Sequence, residues 1–148
     1  MQIGRSYSNK EIVETFRVGQ SGGIRVSFKT NSIVLISDRF RKHPYEDSWD
    51  EKELLYHLHG QGLKGDQELS RNNLTLANAH EQKLDIHLFI THKPKVHIYY
   101  GRFRVYQFAY ASKRYPDINN QLRKVLLFDL EPLDLVEGKI EIQSPEGI

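Results

Sequence analysis

Residues 85–108 hold two long strand-forming runs separated only by a proline turn, and no other stretch restricts the fold as much. Asp85–Thr91 is an apolar run, Val96–Phe108 contains YYGRFRVYQF with alternating basic and aromatic residues, and Pro94 and its neighbours turn the chain between them. A second hairpin is predicted upstream. There Ile24, Val26 and Phe28 alternate with Arg25, Ser27 and Lys29, and Ile33-Val-Leu-Ile36 follows the turn-like Lys29-Thr-Asn-Ser32. Leu54–His59 reads as a further strand, and Val125-Leu-Leu-Phe128 as a last core strand that stops at Pro132. Ser8-Asn-Lys-Glu11 is a capping box opening a short helix with Ile12, Val13 and Phe16 as its apolar positions. Gln67–Gln82 reads as a helix whose stripe carries Leu69, Asn73, Leu76 and His80. Strands that look antiparallel, with one middle helix, predict an α+β fold on a curved sheet or small barrel. Residues 1–132 form the expected domain, and 133–148 a tail or the start of a linker.

Composition narrows the function classes. The 148 residues suit one domain, and 16 aromatic residues among 39% apolar ones supply a core. No run of 18 apolar residues occurs, and the amino terminus lacks the apolar centre of a signal peptide, so a cytoplasmic protein without a membrane partner is expected. Zero cysteines exclude disulfides and thiolate metal sites. A formal charge of +2 says little by itself, so any anionic partner has to be argued from where the Lys and Arg residues lie.

Three catalytic or cofactor patterns fail on their context. Gly60-x-Gly62-x-x-Gly65 has dinucleotide-loop spacing, and Asp85 stands at the right separation. However, Asp85 begins its strand where the fingerprint needs an acid at a strand end, and the flanking elements do not alternate as βαβ units. Lys64 precedes Gly65, so no phosphate-loop Gly-Lys-Ser/Thr is formed, and no cofactor is expected. His57 and His59 could share a strand face and meet His87, His92 or His97, but diagnostic metal spacing is absent and no metal is expected. Pro116-Asp117 followed by Glu137-Gly-Lys139 resembles the pattern of magnesium-dependent nucleases. It makes a self-contained nuclease using Asp117, Glu137 and Lys139 the alternative function.

Basic and aromatic residues are more coherent. Arg25, Arg39, Arg41, Lys42 and Lys64 gather around glycine-rich segments and are interleaved with Tyr45, Trp49 and Tyr56. Cations that meet phosphates beside rings that stack on bases suit a nucleic acid. Read in order, GGIRVSFKTNSIVLISD (22–38), YEDSW (45–49), HGQGLKGDQ (59–67), NNLTLA (72–77), IHLF (86–89) and YYGRFRV (99–105) resemble the SRA-like (SET and RING associated, YDG) domain. The domain of this type sits at the amino end of bacterial modification-dependent HNH restriction endonucleases. The resemblance covers residues 19–132.

What the resemblance implies is a PUA-like curved β-barrel with flanking helices that binds double-stranded DNA and flips a modified cytosine, 5-methylcytosine or 5-hydroxymethylcytosine, into a pocket. Such a domain is a non-enzymatic specificity module of a restriction system, with an HNH nuclease fused or partnered. By position Tyr45 would stack on the base and Asp47 would accept hydrogen bonds from its edge. Leu58 and His59 stand where the family has Tyr and Thr before Gly60, so a second stacking ring would have to come from Tyr56 or Trp49. Ser21, Gly22, Arg25, Arg39, Arg41, Lys42, Gln61 and Lys64 are the expected backbone and groove contacts. Asp66, Gln67 and Asn73 would tie the glycine turn to the helix.

Overall fold

A computed structural model of the chain describes residues 1–40, 47–110 and 115–134, with the backbone alone for residues 110 and 115. In chain order the elements are β1 (Ser6–Tyr7), α1 (Asn9–Phe16), β2 (Ile24–Ser27), β3 (Ser32–Asp38), β4 (Ser48–Asp50) and β5 (Leu55–His59). Then come α2 (Arg71–Ala77), β6 (Asp85–Lys93), β7 (Val96–Tyr110), β8 (Tyr115–Pro116), β9 (Leu122–Arg123) and β10 (Leu126–Pro132). Among the described residues no helix is long and apolar enough to cross a membrane.

The hairpin of residues 85–108 forms as expected, with Lys93 opposite Val96 and Lys95 at φ 65° in its turn. It is the centre of an eight-stranded sheet ordered β2-β3-β6-β7-β10-β5-β4, with β1 added on β7. All pairs are antiparallel except β3 with β6, where Ile33 faces Ile86 and Ile36 faces Phe89. A parallel pair needs a long crossover, and residues 39–84 supply it. The expected α+β class is therefore present. Among the described residues the end strands β2 and β4 do not pair, so the sheet is not closed into a barrel.

Alternation along the strands feeds two apolar layers. On one face Ile33, Leu35, Tyr56, Leu58, Leu88, Phe103 and Phe128 pack with Leu76 of α2 and Ala79 just beyond it. On the other, Val34, Phe89 and Tyr99 pack with Ile12 and Phe16 of α1. Helix α1 starts on the predicted capping box: Glu11 N–H donates to Ser8 Oγ (3.1 Å) and Ser8 N–H to Glu11 Oε1 (3.0 Å). It ends at Phe16 because Arg17 turns left-handed, φ 57°.

Helix α2 is shorter than its sequence suggests. Gln67 lies outside it, buried, and His80 is exposed beyond its end. The apolar stripe continues through Ala79 and Leu84, which pack without being helical, so periodicity alone overstates the helix. Residues 115–123 hold a small two-stranded sheet in which Tyr115 faces Arg123.

Candidate nucleic-acid interface

The glycine turn is fixed by amide side chains from both of its flanks. Gln67 donates to the carbonyls of Gly60 (2.7 Å) and Gly62 (3.2 Å) and accepts from Leu126 N–H (2.8 Å). Asn73 accepts from Gln61 N–H (2.8 Å) and donates to the carbonyls of Gln61 and Glu68 (both 3.0 Å). Asp66 accepts from Lys124 N–H (2.8 Å), and Arg123 donates to the carbonyls of Gly62 (2.6 Å) and Gly65 (3.1 Å). Gly60 has no room for a side chain. A Cβ there would stand 2.9 Å from Gln67 Oε1 and 3.0 Å from Asn73 Oδ1 and Leu126 Cβ. Gly60 therefore serves close packing, whereas Gly62 (φ 130°) and Gly65 (φ 65°) supply the left-handed backbone of the turn.

Beside this turn opens a cavity of about 720 Å³. Asp47, Leu58, His59 and Gly60 form one wall, and the loop Gln20–Gly23 another. Asp47 is held from three sides: His59 N–H donates to Oδ1 (2.8 Å), His59 Nδ1 stands 2.9 Å from the same oxygen, and Ser37 Oγ–H donates to Oδ2 (2.6 Å). A carboxylate only accepts, so the His59 proton sits on Nδ1 in this arrangement. Ser37 spends its single proton on Asp47, so the 2.5 Å contact between Ser37 and Tyr56 has the phenol as donor. Burial, then the Asp47 charge, pushes the Tyr56 hydroxyl well above its ordinary pKa, which keeps it a donor. The result is a relay from Tyr56 through Ser37 to Asp47. It fixes an acceptor at the cavity wall, with the side chain of Asp47 only 15% exposed.

The structure places the expected contact residues as follows. Tyr56 is fully buried and does not line the cavity; its ring lies in the core, so it is no stacking platform. Trp49 packs against Tyr56 (centroids 5.2 Å) and Phe103 (5.9 Å), also away from the cavity wall. Both rings therefore sit behind the relay. Gln61 lines the cavity, but its side-chain amide oxygen meets the N–H groups of Ile24 (2.8 Å) and Gly23 (3.1 Å), which links the two loops instead of reaching outward. Arg25 is buried too: Nε donates to the Gly22 carbonyl (2.9 Å) and one terminal nitrogen to Asn9 Oδ1 (2.6 Å). Ser21 and Gly22 are exposed at the cavity mouth, Lys64 is exposed outside it, and Arg39 is half-buried with its N–H on the Thr91 carbonyl (2.8 Å). Arg41, Lys42 and Tyr45 lie outside the described residues.

The other patterns resolve into structural roles. His57 Nδ1 contacts Asp129 (2.5 Å) while His59 contacts Asp47, and among the described residues no group of three or more potential ligands could hold a metal ion. Asp117 accepts from the N–H groups of Gly65 (3.0 Å), Asn119 and Gln121 (both 2.9 Å). Those bonds, that from Gly65 foremost, hold its carboxyl below the usual range, as in a turn-closing residue. Glu137 and Lys139 lie outside the described residues. Ser37 escaped the sequence reading, although a small polar residue directly after the run Ile33–Ile36 was a visible signal.

No curated protein matches the chain. Among solved structures it is similar to the sulfur binding and SRA domains of ScoMcrA complexed with phosphorothioated DNA, at TM-score 0.70 and 17% identity, over 91% of this chain and 40% of that one. It is similar to the SUVH5 SRA domain complexed with methylated CHH DNA, at TM-score 0.66 and 17% identity, over 91% and 90% of the two chains. KRYPTONITE, solved with mCHH DNA, a histone H3 peptide and SAH, matches at TM-score 0.68 and 19% identity, over 97% of this chain and 34% of that one. The chain thus spans well under half of the ScoMcrA fragment it matches, and 28% of the ScoMcrA restriction endonuclease itself. These likenesses show a shared fold. The profile of the family described as ScoMcrA-like, SRA domain, matches residues 3–142, and the chain belongs to that family.

Proposed function

We propose that this domain reads modified DNA by taking a modified cytosine, 5-methylcytosine or 5-hydroxymethylcytosine, out of the duplex and into the cavity beside Asp47. The observation that carries the proposal is the fixed carboxylate. A flipped cytosine presents N–H donors on its edge, and an acceptor oriented beforehand by Ser37 and His59 gains them without reorganising. Leu58 and Gly60 give the wall its apolar and close-approach surfaces. Tyr45, two residues before Asp47, is the ring we assign to stacking, and exposed Ser21, Gly22 and Lys64 are assigned to the backbone. ScoMcrA is described as a phosphorothioation-dependent restriction endonuclease, and SUVH5 SRA is solved on methylated DNA. By analogy the chain is the non-catalytic specificity part of a restriction system, with cleavage by an HNH nuclease on a fused or partner chain. Residues 1–132 are the reader in this proposal, and 133–148 a tail or linker beyond it.

The test is a binding panel at fixed salt with duplexes carrying plain, methylated or hydroxymethylated cytosine, one with a fluorescent base analogue opposite the target. Preference for one modified duplex, accompanied by a fluorescence rise from unstacking, is expected. Equal affinity across the panel would refute the reader function, and preference without a fluorescence change would refute flipping. Incubation with modified plasmid and magnesium should leave the plasmid intact.

A further inference from the structure

The cavity extends past the base pocket. It turns around the start of β2 onto the opposite face of the sheet, where Asn9, Arg25, Thr91, Lys95 and His97 line it. Two layers of the core fix this geometry. Leu58 and Ile24 belong to the layer under α2, whereas Val34, which faces Arg25 across the β2–β3 pair, and Tyr99, two residues beyond His97, belong to the layer under α1. Loop Gln20–Gly23 is the divide between the two lobes.

Arg25 is the unusual group in the second lobe. It is only 8% exposed, yet its hydrogen bonds go to neutral acceptors, the Gly22 carbonyl and the Asn9 amide oxygen. Among the described residues no carboxylate pairs with it, and its other terminal nitrogen meets no protein acceptor but stays open to the cavity. A buried guanidinium satisfied only by neutral groups retains an unmet demand for an anion, because neutral dipoles replace water poorly around a full charge. Asn9 also donates to the Gln20 carbonyl (2.9 Å), so hydrogen bonds tie helix α1, the loop and Arg25 together. Lys95, exposed in the β6–β7 turn, adds a second cation at the rim. Two carboxylates line the cavity as a whole, Asp38 and Asp47; Asp47 is held by Ser37 and His59 at the other wall, and Asp38 is the one that acts with Arg25 on His97. The field of Arg25 reaches His97, whose pKa is lowered first by burial and then by that charge, with Asp38 opposing.

We propose that this lobe is an anion site that seats a backbone phosphate of the DNA strand whose base enters the Asp47 lobe. The inference rests on the reader function proposed above and deepens it. One continuous cavity would then hold base and phosphate on either side of loop Gln20–Gly23. A recessed guanidinium makes a short, directional contact with one phosphate, unlike exposed Lys64, which acts on the strand through screened charge.

The test uses the whole chain and modified duplexes in which phosphates of the modified strand are replaced one at a time by neutral methylphosphonate. Wild type, Arg25→Gln and Lys95→Gln are titrated with each duplex. One position near the modified nucleotide should cost wild type roughly tenfold or more in affinity, the usual size of a charge-assisted hydrogen bond. At that position Arg25→Gln should lose less than about threefold, because the contact is already gone, with Lys95→Gln in between. Arg25→Gln also removes bonds to Gly22 and Asn9; if it does not fold, Lys95→Gln, an exposed substitution, decides the same cycle. Losses that simply multiply at every position overturn the phosphate site. Competition by inorganic phosphate without any sensitive position would assign the lobe to a free anion and overturn it equally. Unsubstituted duplexes in the same titrations report preference for the modified base. Its presence with multiplicative losses sinks only this inference, and its absence sinks the reader function itself.

Discussion

Ser37→Ala should be far more damaging than its two atoms suggest, because Ser37 is the middle of the relay that holds Asp47. The substitution removes the 2.6 Å bond to the Asp47 carboxylate, and a hydrogen bond to a charged group contributes roughly 1.5–3 kcal/mol. It also strands the Tyr56 hydroxyl, whose residue is 0% exposed and whose partner is Ser37, and a buried unsatisfied donor costs roughly 1–3 kcal/mol. From the lower half of both ranges the loss is about 3 kcal/mol. Tyr56→Phe removes only the hydroxyl and leaves the Ser37 to Asp47 bond in place, so about 1 kcal/mol is expected. The double variant no longer has a stranded hydroxyl. It should therefore be about 1 kcal/mol more stable than Ser37→Ala alone, a coupling of about 2 kcal/mol in the double-mutant cycle. Urea unfolding midpoints at constant m-value measure all four proteins. Additivity within about 0.5 kcal/mol, or a Ser37→Ala cost below about 1 kcal/mol, would refute the relay. In DNA titrations the same substitution should weaken preference for the modified base more than it weakens binding to plain duplex.

Gly60→Ala should destabilise by roughly 1–3 kcal/mol, the usual range for forced overpacking, because its Cβ meets Gln67, Asn73 and Leu126 at 2.9–3.0 Å; thermal unfolding reads it, and a neutral result would mean the turn is looser than described. Asp47→Asn should remove modification preference while salt-sensitive background binding to plain duplex persists, and retained preference would exclude Asp47 as the reading group. His87 lies against Phe16 (centroids 4.5 Å) with its Nδ1 2.8 Å from the Tyr99 hydroxyl, and burial lowers its pKa to about 4. The unfolded chain takes up this proton near pH 6.5 and the folded one only near 4, so stability should fall by about 3 kcal/mol as pH drops through that window. His87→Gln should flatten that slope in pH-resolved urea melts, and an unchanged slope would assign it to other groups.

Particular residues show what the sequence made legible. Alternation in Ile24–Lys29 and apolar runs in Ile33–Ile36 and Asp85–Thr91, whose residues fill both core layers, placed the β2–β3 and β6–β7 hairpins, and the capping box placed the start of α1. Asn73 was visible as a polar intruder on an apolar stripe, and its bonds to Gln61 explain it. Less visible was that β3 pairs with β6 in parallel, because pairing across a crossover of residues 39–84 leaves no local signal. The roles of Arg25, Gln61 and Tyr56 were hidden for a related reason. Residue type suggests outward cations and stacking rings, but whether such a group faces solvent depends on neighbours distant in the chain, here Asn9, Ile24 and Ser37. The second lobe could not be read from motifs, since Arg25 and His97 meet only through the sheet.

Strand β5 carries Leu58 and His59, yet on its inner side it joins the central sheet only through β10, where Leu58 faces Phe128 and His59 faces Leu127. The wall of the base lobe is thus docked by almost the last described segment of the chain. During synthesis, residues 1–110 can emerge with both hairpins paired, and β4 on β5, while β5 still lacks β10. A ribosome-bound chain would complete this cavity wall only once residues 126–132 had cleared the exit tunnel, so the proposed base pocket would be among the last parts of the domain to assemble.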